Sequence, residues 1–546
     1  MGVRDVIESV KALAEAGVLE RGTPEGTRRF LGNLIRGDFH PSTIWAIHAA
    51  NLEDKPALVA KARGVTWKEV NRRINRLANG LLALGIQPGD SVAYMLKNSI
   101  EWIESLAACN KIGAAAVFVS YRCTPPEIEY LCTNSEARAL LFGAEFESVI
   151  RETLPSLSIP ESNYVMVGGE PRPPFRPYEE VIAKGTEDEP PRRLRKDGSR
   201  VIIYTSGTTG KPKGAVRDFA KTGLTTLMGL LRVIPFKRSD RHLVAAPLYH
   251  ATGSAFATVN ISLGATIYVA EKFDPIEFLE IVDREKITTT ALVPTMLRSI
   301  LMLPDKEKNK YDVSSMRVIL CTGSALPQKL KEASRAYFGN VLYDLYGSTE
   351  MGWVTVATPA HQREKPGSVG KAVPGNDIVL IGEDGRPVPD GQVGELYAKN
   401  NITIEGYHRN EEATRKARWG EHFSVGDLAI RDDKGYITLV DRKTDMVISG
   451  GMNIYPAEIE DVLVQYPKVF EAAVIGVPDE HWGEALLAFI VALPGESIAE
   501  EEVLDHCRKH LAGYKIPRKI RLLDELPRNP TGKVLKKELK AKVLDS

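Results

Sequence analysis

The sequence predicts an α/β protein with a large N-terminal domain and a small C-terminal one, and three features carry that prediction. At 546 residues, 43% hydrophobic and 26% charged, the chain has the composition of a globular protein and exceeds what one hydrophobic core can organise. From about residue 66 onward, helical and strand patterns alternate, as they do where mostly parallel sheets are flanked by helices. After Tyr436-Ile437-Thr438-Leu439-Val440-Asp441-Arg442 the pattern changes for roughly a hundred residues, enough for a separate domain. The boundary falls near Lys443–Asp445, dividing the chain into residues 1–443 and 444–546.

The elements follow in order. The N-terminal stretch MGVRDVIESVKALAEAGVLERG mixes acids and bases through a helical pattern and lacks the apolar core and cleavage site of a secretory signal. Thr27–Arg36 is a short basic amphipathic stretch, read as packing on the body, with loose membrane contact as the other reading. Thr66-Trp67-Lys68-Glu69 is a capping box, and Val70, Ile74, Leu77, Leu81 and Leu84 recur at helical spacing until Gly85. Gln87-Pro88-Gly89-Asp90 turns the chain into a strand over Ser91–Leu96. Val201–Tyr204, Thr288–Val293 and Val318–Cys321 are short β-branched runs, as buried strands are. Asp274 followed by Pro275 starts a helix over Pro275–Val282. Pro171–Arg200, rich in Pro and charge, reads as a surface connection. Leu243–Ala270, with His250 its only ionisable group, reads as core beside a cavity, since its Thr, Ser, Asn and Gly residues argue against a membrane span.

Lys+Arg and Asp+Glu both number 71, so no excess of positive charge exists for a polyanion, and a nucleic-acid partner is not expected. Five scattered cysteines without a C-x-x-C pair suggest reduced thiols and a cytoplasmic setting, with neither a disulfide framework nor a zinc site.

The chemistry begins at Tyr204-Thr205-Ser206-Gly207-Thr208-Thr209-Gly210-Lys211-Pro212-Lys213-Gly214, directly after a predicted strand. Glycines admit close approach of backbone N–H groups to an anion, hydroxyls add donors, and two lysines add charge. The loop can wrap a polyphosphate, yet it does not meet the Walker pattern, because only two residues separate Gly207 from Gly210 and Pro212 follows Lys211.

This string resembles the signature of the AMP-forming acyl-CoA synthetases, the adenylate-forming family that includes luciferases and peptide-synthetase adenylation domains. The resemblance continues in order. Pro247-Leu248-Tyr249-His250 looks like the aromatic/His segment at the acyl pocket, and Gly323-Ser324-Ala325-Leu326-Pro327 like the adenine-side turn. Asp344 and Tyr346-Gly347-Ser348-Thr349-Glu350 match the Y-G-x-T-E region. Val425-Gly426-Asp427 and Asp441-Arg442 match the ribose-binding pair, Gly450–Glu460 the loop after the hinge, and Pro527–Lys533 the terminal lysine motif. The fold so implied is a large domain with a distorted β-barrel part and a small mobile α+β domain.

The resemblance also implies roles. A carboxylate is a poor electrophile, so it is first activated by attack on the α-phosphate of ATP and then passed from acyl-AMP to coenzyme A. Thr205, Ser206, Gly207, Thr208, Thr209, Gly210, Lys211 and Lys213 would hold the departing phosphates. Glu350 would hold Mg²⁺, Thr349 would touch the α-phosphate, and Lys533 would bridge carboxylate and phosphate in the first transition state. Ser324, Ala325, Asp344, Tyr346, Gly347, Ser348, Asp427 and Arg442 would contact the nucleotide, and Tyr249, His250 and Gly323 the acyl group. Thr444 stands where the family hinges on Lys or Asp, and Ser449, Gly450 and Gly451 would admit pantetheine once the small domain rotates. Val425 replaces the usual Thr before Gly-Asp. Taken singly, Glu350 and Lys533 read more readily as a helix first-turn acid and a solvated lysine, Asp427 as a turn residue and His250 almost as readily as a satisfied core histidine; in series with the loop at Thr205, Glu350, Lys533 and Asp427 read as functional.

The uncharged segment favours an apolar tail, and a medium- or long-chain fatty acid is the expected substrate, with an aromatic or bile-acid-like carboxylate second. Transfer to a carrier-protein thiol would use the same nucleotide residues. The expected enzyme is a monomer or homodimer.

Overall fold

The computed structural model describes residues 8, 11–18, 23–26, 28, 41–61, 63–191, 200–205, 212–218, 224–449, 452–479, 481–528 and 534–544. Apart from Arg28, the amphipathic stretch Thr27–Arg36 lies outside them.

Two large sheets form the body. One has eight strands in the order Gly406–Tyr407, Lys213–Asp218, Arg200–Thr205, Ala115–Phe118, Ser91–Met95, Ala137–Gly143, Tyr164–Val167 and Arg176–Pro177. The other has nine and runs from Lys371–Ala372 through Gly352–Ala357, Leu342–Ser348, Val318–Cys321, Thr289–Leu292, Arg241–Val244 and Thr266–Val269 to Pro56–Ala60 and Arg63–Thr66. Their interior pairings are parallel and the antiparallel ones lie towards the edges, as continuous apolar runs such as Val318–Cys321 require.

Local sequence explains the covering helices. Thr66 Oγ1 accepts from the Glu69 N–H at 3.2 Å while Glu69 Oε2 accepts from the Thr66 N–H at 2.8 Å, closing the expected capping box of helix Trp67–Ala83. Asp274 Oδ1 accepts from Ile276 N and Glu277 N to start helix Pro275–Glu285. The uncharged stretch becomes helix Ala251–Leu263, stopped by Gly264 at φ +81°. One apolar cluster ties the sheets together, with Leu58 and Ile267 from one, Phe118 and Ile203 from the other, and Ile74, Leu77 and Trp102 from helices.

One expectation fails. Pro171–Arg200 is not merely a surface connection, because it contains helix Tyr178–Lys184, whose Tyr178, Val181 and Ile182 are buried. That i, i+3, i+4 stripe is masked in the sequence by the surrounding prolines and charges. It packs so closely on helix Trp67–Ala83 that a Cβ on Gly80 would stand 2.3 Å from the Val181 carbonyl.

The part expected as a distorted barrel is a six-stranded antiparallel sheet that includes Asp377–Ile381, Val393–Lys399, Asp427–Arg431 and Ile437–Arg442. A separate α+β unit follows, with Val447–Ser449, Met452–Ile454, Val469–Asp479, Gly483–Ala492 and Lys519–Leu522 in one sheet and its own buried cluster around Ile459, Leu463 and Val474. All five cysteines are free thiols. Among the described residues, no helix is long and apolar enough to cross a membrane.

Candidate active site

A cleft of about 1740 Å³ opens where parallel strands of both large sheets end. Thr205, Ser120 to Cys123, Ala245 to Pro247, Val293, Thr322 to Gly323 and Gly347 to Glu350 lie at or just beyond those strand ends, and all line it. The six-stranded sheet adds Arg442, the connection before its strand Asp427–Arg431 adds Val425, and the small domain adds Arg528.

Thr205 and Lys213 are Cα partners at one end of a hairpin, so the segment expected to bind phosphate joins them. Ser206, Gly207, Thr208, Thr209, Gly210 and Lys211 lie outside the described residues, as do Gly450, Gly451 and Lys533. Thr205 Oγ1 donates to Glu350 Oε1 at 3.3 Å, and the Tyr407 hydroxyl donates to the same oxygen at 3.2 Å. Among the described residues no hydrogen bond is made to Oε2. Lys213 Nζ stands 5.3 Å above the Tyr407 ring. The Ser348 hydroxyl accepts from the N–H groups of Glu350 and Met351 and so fixes the turn carrying Thr349. Arg217, buried beneath, donates from Nη2 to the Thr349 carbonyl at 2.7 Å. Burial lowers its guanidinium to about 10, with Glu350 acting in the opposite direction.

The expected nucleotide side is built by register. Asp427 and Arg442 are Cα partners on adjacent strands, with Arg442 Nε 3.1 Å from Asp427 Oδ1. The buried Tyr346 donates its hydroxyl to Asp427 Oδ2 at 2.8 Å. Gly347 must be glycine here, since a Cβ would stand 2.1 Å from the Gly352 carbonyl.

Several residues expected to bind ATP or coenzyme A, Asp427 and Tyr346 among them, are not part of the cleft wall itself. The Asp344 carboxylate is buried and paired with Lys331 Nζ at 2.7 Å, away from the cleft wall. Ser324 and Ala325 are exposed outside that wall. Ser449 lies in the small domain's sheet, opposite Met452 and Gly483, and not in the wall.

At the expected acyl end, Tyr249, His250, Thr252, Phe256, Val293 and Met296 line the cleft with Gly323, whose φ of +97° would strain any side chain there and whose Cβ would stand 3.3 Å from Val293. Tyr121 stands edge-on to Tyr249 at 5.2 Å. Burial, with Arg122 second, lowers the His250 imidazole to about 4, so it is neutral near pH 7, and among the described residues its Nε2 has no partner.

Thr444 lines the cleft beside Lys443, whose Nζ pairs with Glu395 at 3.0 Å and whose N–H bonds the Gly426 carbonyl. Arg528 is bridged to Val534 across the segment bearing Lys533, and it pairs with Glu471, which also takes Arg298 of the large domain.

Sequence reasoning missed Arg217, Tyr407, Arg122 and the Arg298–Glu471–Arg528 cluster. Only Arg217 left a signal, as an arginine within an otherwise short-chain and apolar strand run, Gly214-Ala215-Val216-Arg217.

The family model described as AMP-binding enzyme matches residues 45–408, and that of the AMP-binding enzyme C-terminal domain matches 458–533. The chain belongs to the AMP-binding enzyme family. It is 37% identical to a feruloyl-CoA synthase of Amycolatopsis sp, over 91% of this chain and 98% of that protein. It is 32% identical to the long-chain-fatty-acid–CoA ligase FadD13 of Mycobacterium tuberculosis, over 87% and 92%. The crystal structure of the anthranilate CoA ligase AuaEII with anthranoyl-AMP superposes with a TM-score of 0.86 at 29% identity, covering 93% of this chain and 97% of that one. The protein is an adenylate-forming enzyme, an ATP-dependent acid–CoA ligase acting through acyl-AMP.

Proposed function

We propose that the acid is an apolar monocarboxylate, a medium- or long-chain fatty acid, and that the boundary between the two working domains lies at residues 443 and 444. The observation that carries this reading is the lining of one cleft. Thr205, Lys213, Thr349, Glu350 and Arg442 line it together with an uncharged group, Thr252, Ala255, Phe256, Val293 and Met296, and Lys97, Arg122, Glu271 and Lys272 line it as well.

In the first step a carboxylate oxygen bonds the α-phosphorus of ATP, the bond to the bridging oxygen of the β-phosphate breaks, and pyrophosphate leaves. Two anions meet, so fixed donors and cations must be in place beforehand. The loop from Thr205 to Lys213 holds the departing phosphates, Thr349 the α-phosphate, and Lys533 the carboxylate and phosphate oxygens together. Asp427 accepts from ribose hydroxyls while Arg442 and Tyr346 hold it in place. Glu350 suits Mg²⁺. Oε2 is free of the hydroxyls on Oε1, and among the described residues no cluster of three His, Cys, Asp or Glu side chains could hold a metal by itself, which fits a cation that arrives with phosphate oxygens. When bound, the ion would neutralise charge on the phosphates.

In the second step the coenzyme A sulfur bonds the acyl carbon, the carbon–oxygen bond to AMP breaks, and the thiol proton is released. Rotation about Lys443, Thr444 and Asp445 withdraws Lys533 and brings in Ser449, Gly450 and Gly451.

An aromatic acid is the second reading, favoured by the edge-on Tyr121–Tyr249 pair and by the name of the feruloyl-CoA synthase. Pyrophosphate release with ATP and Mg²⁺ is measured for dodecanoate, hexadecanoate, ferulate and benzoate, with and without coenzyme A. The highest kcat/KM for a fatty acid supports the first reading, and the highest for ferulate replaces it with the second. ADP among the products would overturn both.

A further inference from the structure

Arg217 lies on strand Lys213–Asp218, on the same face as Lys213 and Ala215. Of the described cations in the cleft wall it alone is buried, at 6% exposure. Nη2 bonds the Thr349 carbonyl, while Nε is buried with no partner among the described residues. Glu350 is the acid in its electrostatic neighbourhood, yet that carboxylate takes its hydrogen bonds from Thr205 and Tyr407, and no described carboxylate pairs with Arg217.

A buried cation without a directly bonded carboxylate, and with a donor left over, is expensive to keep. An unbranched apolar side chain would fill much of the same volume without that cost. The arrangement makes electrostatic sense when anions arrive. A carboxylate and a triphosphate converge beside Thr349 and Glu350 in the first step, whereas pyrophosphate has left with most of that charge before the second.

We propose that Arg217 is a positioning residue for acyl-adenylate formation, a fixed buried cation that holds the Thr349–Glu350 peptide and offsets the negative charge gathering there. The proposal rests on the adenylating reading of the cleft. Arg217 reaches the reaction through Thr349 and through its field, and it contributes little to thioester formation.

The test uses the full-length enzyme with Arg217→Met and Arg217→Lys. ATP–pyrophosphate exchange with the best acid reads the first step, and thioester formation from synthetic acyl-AMP and coenzyme A reads the second. Arg217→Met should lower exchange by about 10²-fold while thioester formation changes by less than about 3-fold, and Arg217→Lys should recover about 10-fold of the loss. A thermal melt of each variant checks the fold, and where Arg217→Met does not fold, Arg217→Gln takes its place. Unchanged exchange, or equal loss in both steps, overturns the proposal. A wild-type enzyme that shows no exchange with any acid overturns the adenylating reading and this proposal with it. Exchange in the wild type matched by the Met variant overturns this proposal alone.

Discussion

Asp427 and Arg442 face each other across two adjacent antiparallel strands, with Nε 3.1 Å from Oδ1, and the other carboxylate oxygen accepts from Tyr346 at 2.8 Å. Both oxygens of the proposed ribose ligand are therefore held before any nucleotide arrives. Asp427→Ala leaves a guanidinium and a buried hydroxyl without their acceptor, and should cost about 2 kcal/mol in stability as well as raising the KM for ATP by at least about 10-fold. Thermal melts and initial-rate kinetics check both; an unchanged KM would remove Asp427 from the nucleotide site.

Glu350→Gln keeps the shape of the side chain and its contacts with Thr205 and Tyr407 but removes the charge. The Mg²⁺ concentration for half-maximal pyrophosphate release should rise, and the saturating rate should fall by about 10²-fold. Titration of Mg²⁺ at fixed ATP reads this directly.

Lys533→Ala should abolish most acyl-AMP formation, by about 10²-fold or more, while thioester formation from synthetic acyl-AMP survives. Wild-type exchange in this variant would show that the lysine has no part in the first transition state.

Glu471 holds Arg298 of the large domain and Arg528, the residue that begins the bridge around Lys533. Glu471→Ala leaves two partly buried arginines without that carboxylate. Pyrophosphate exchange should fall about 10-fold, and more than the coenzyme A step, because this contact joins the two domains in the arrangement that places Arg528 at the cleft. Equal loss in both steps would assign the contact to stability alone.

His242 is buried against Thr289 Oγ1 at 3.0 Å, and desolvation lowers its imidazole to about 3. The unfolded chain titrates near 6.5, so it binds the proton that the folded chain refuses. Stability from this group is whole above about pH 6.5 and is lost as pH falls towards 3, by on the order of a few kcal/mol. His242→Asn should flatten the pH dependence of the melting temperature between pH 6.5 and 4, although it lowers stability at neutral pH.

Much of the fold was legible because it is local. The Thr66–Glu69 box, the Asp274 cap and the β-branched run Val318–Cys321 act within a few residues of chain, and each appears where the pattern predicts it. Helix Tyr178–Lys184 was hidden because its stripe spans only two turns inside a polar segment. Asp344 shows the opposite case: it stands next to a motif expected at the nucleotide, and its carboxylate is buried against Lys331.

The sequence alone determined the order of motifs, the chemistry their residue types permit, and the elements whose caps and periodicities are local. The tertiary structure decided which charges meet. Residues 205, 217, 350 and 407 lie on separate strands and turns, and only the pairing of Lys213–Asp218 with both Arg200–Thr205 and Gly406–Tyr407, together with the packing of that edge against the turn after Leu342–Ser348, sets Arg217 under Thr349 and Tyr407 on Glu350. Strand register and sheet packing fix such meetings at ångström scale, and no spacing along the chain encodes them.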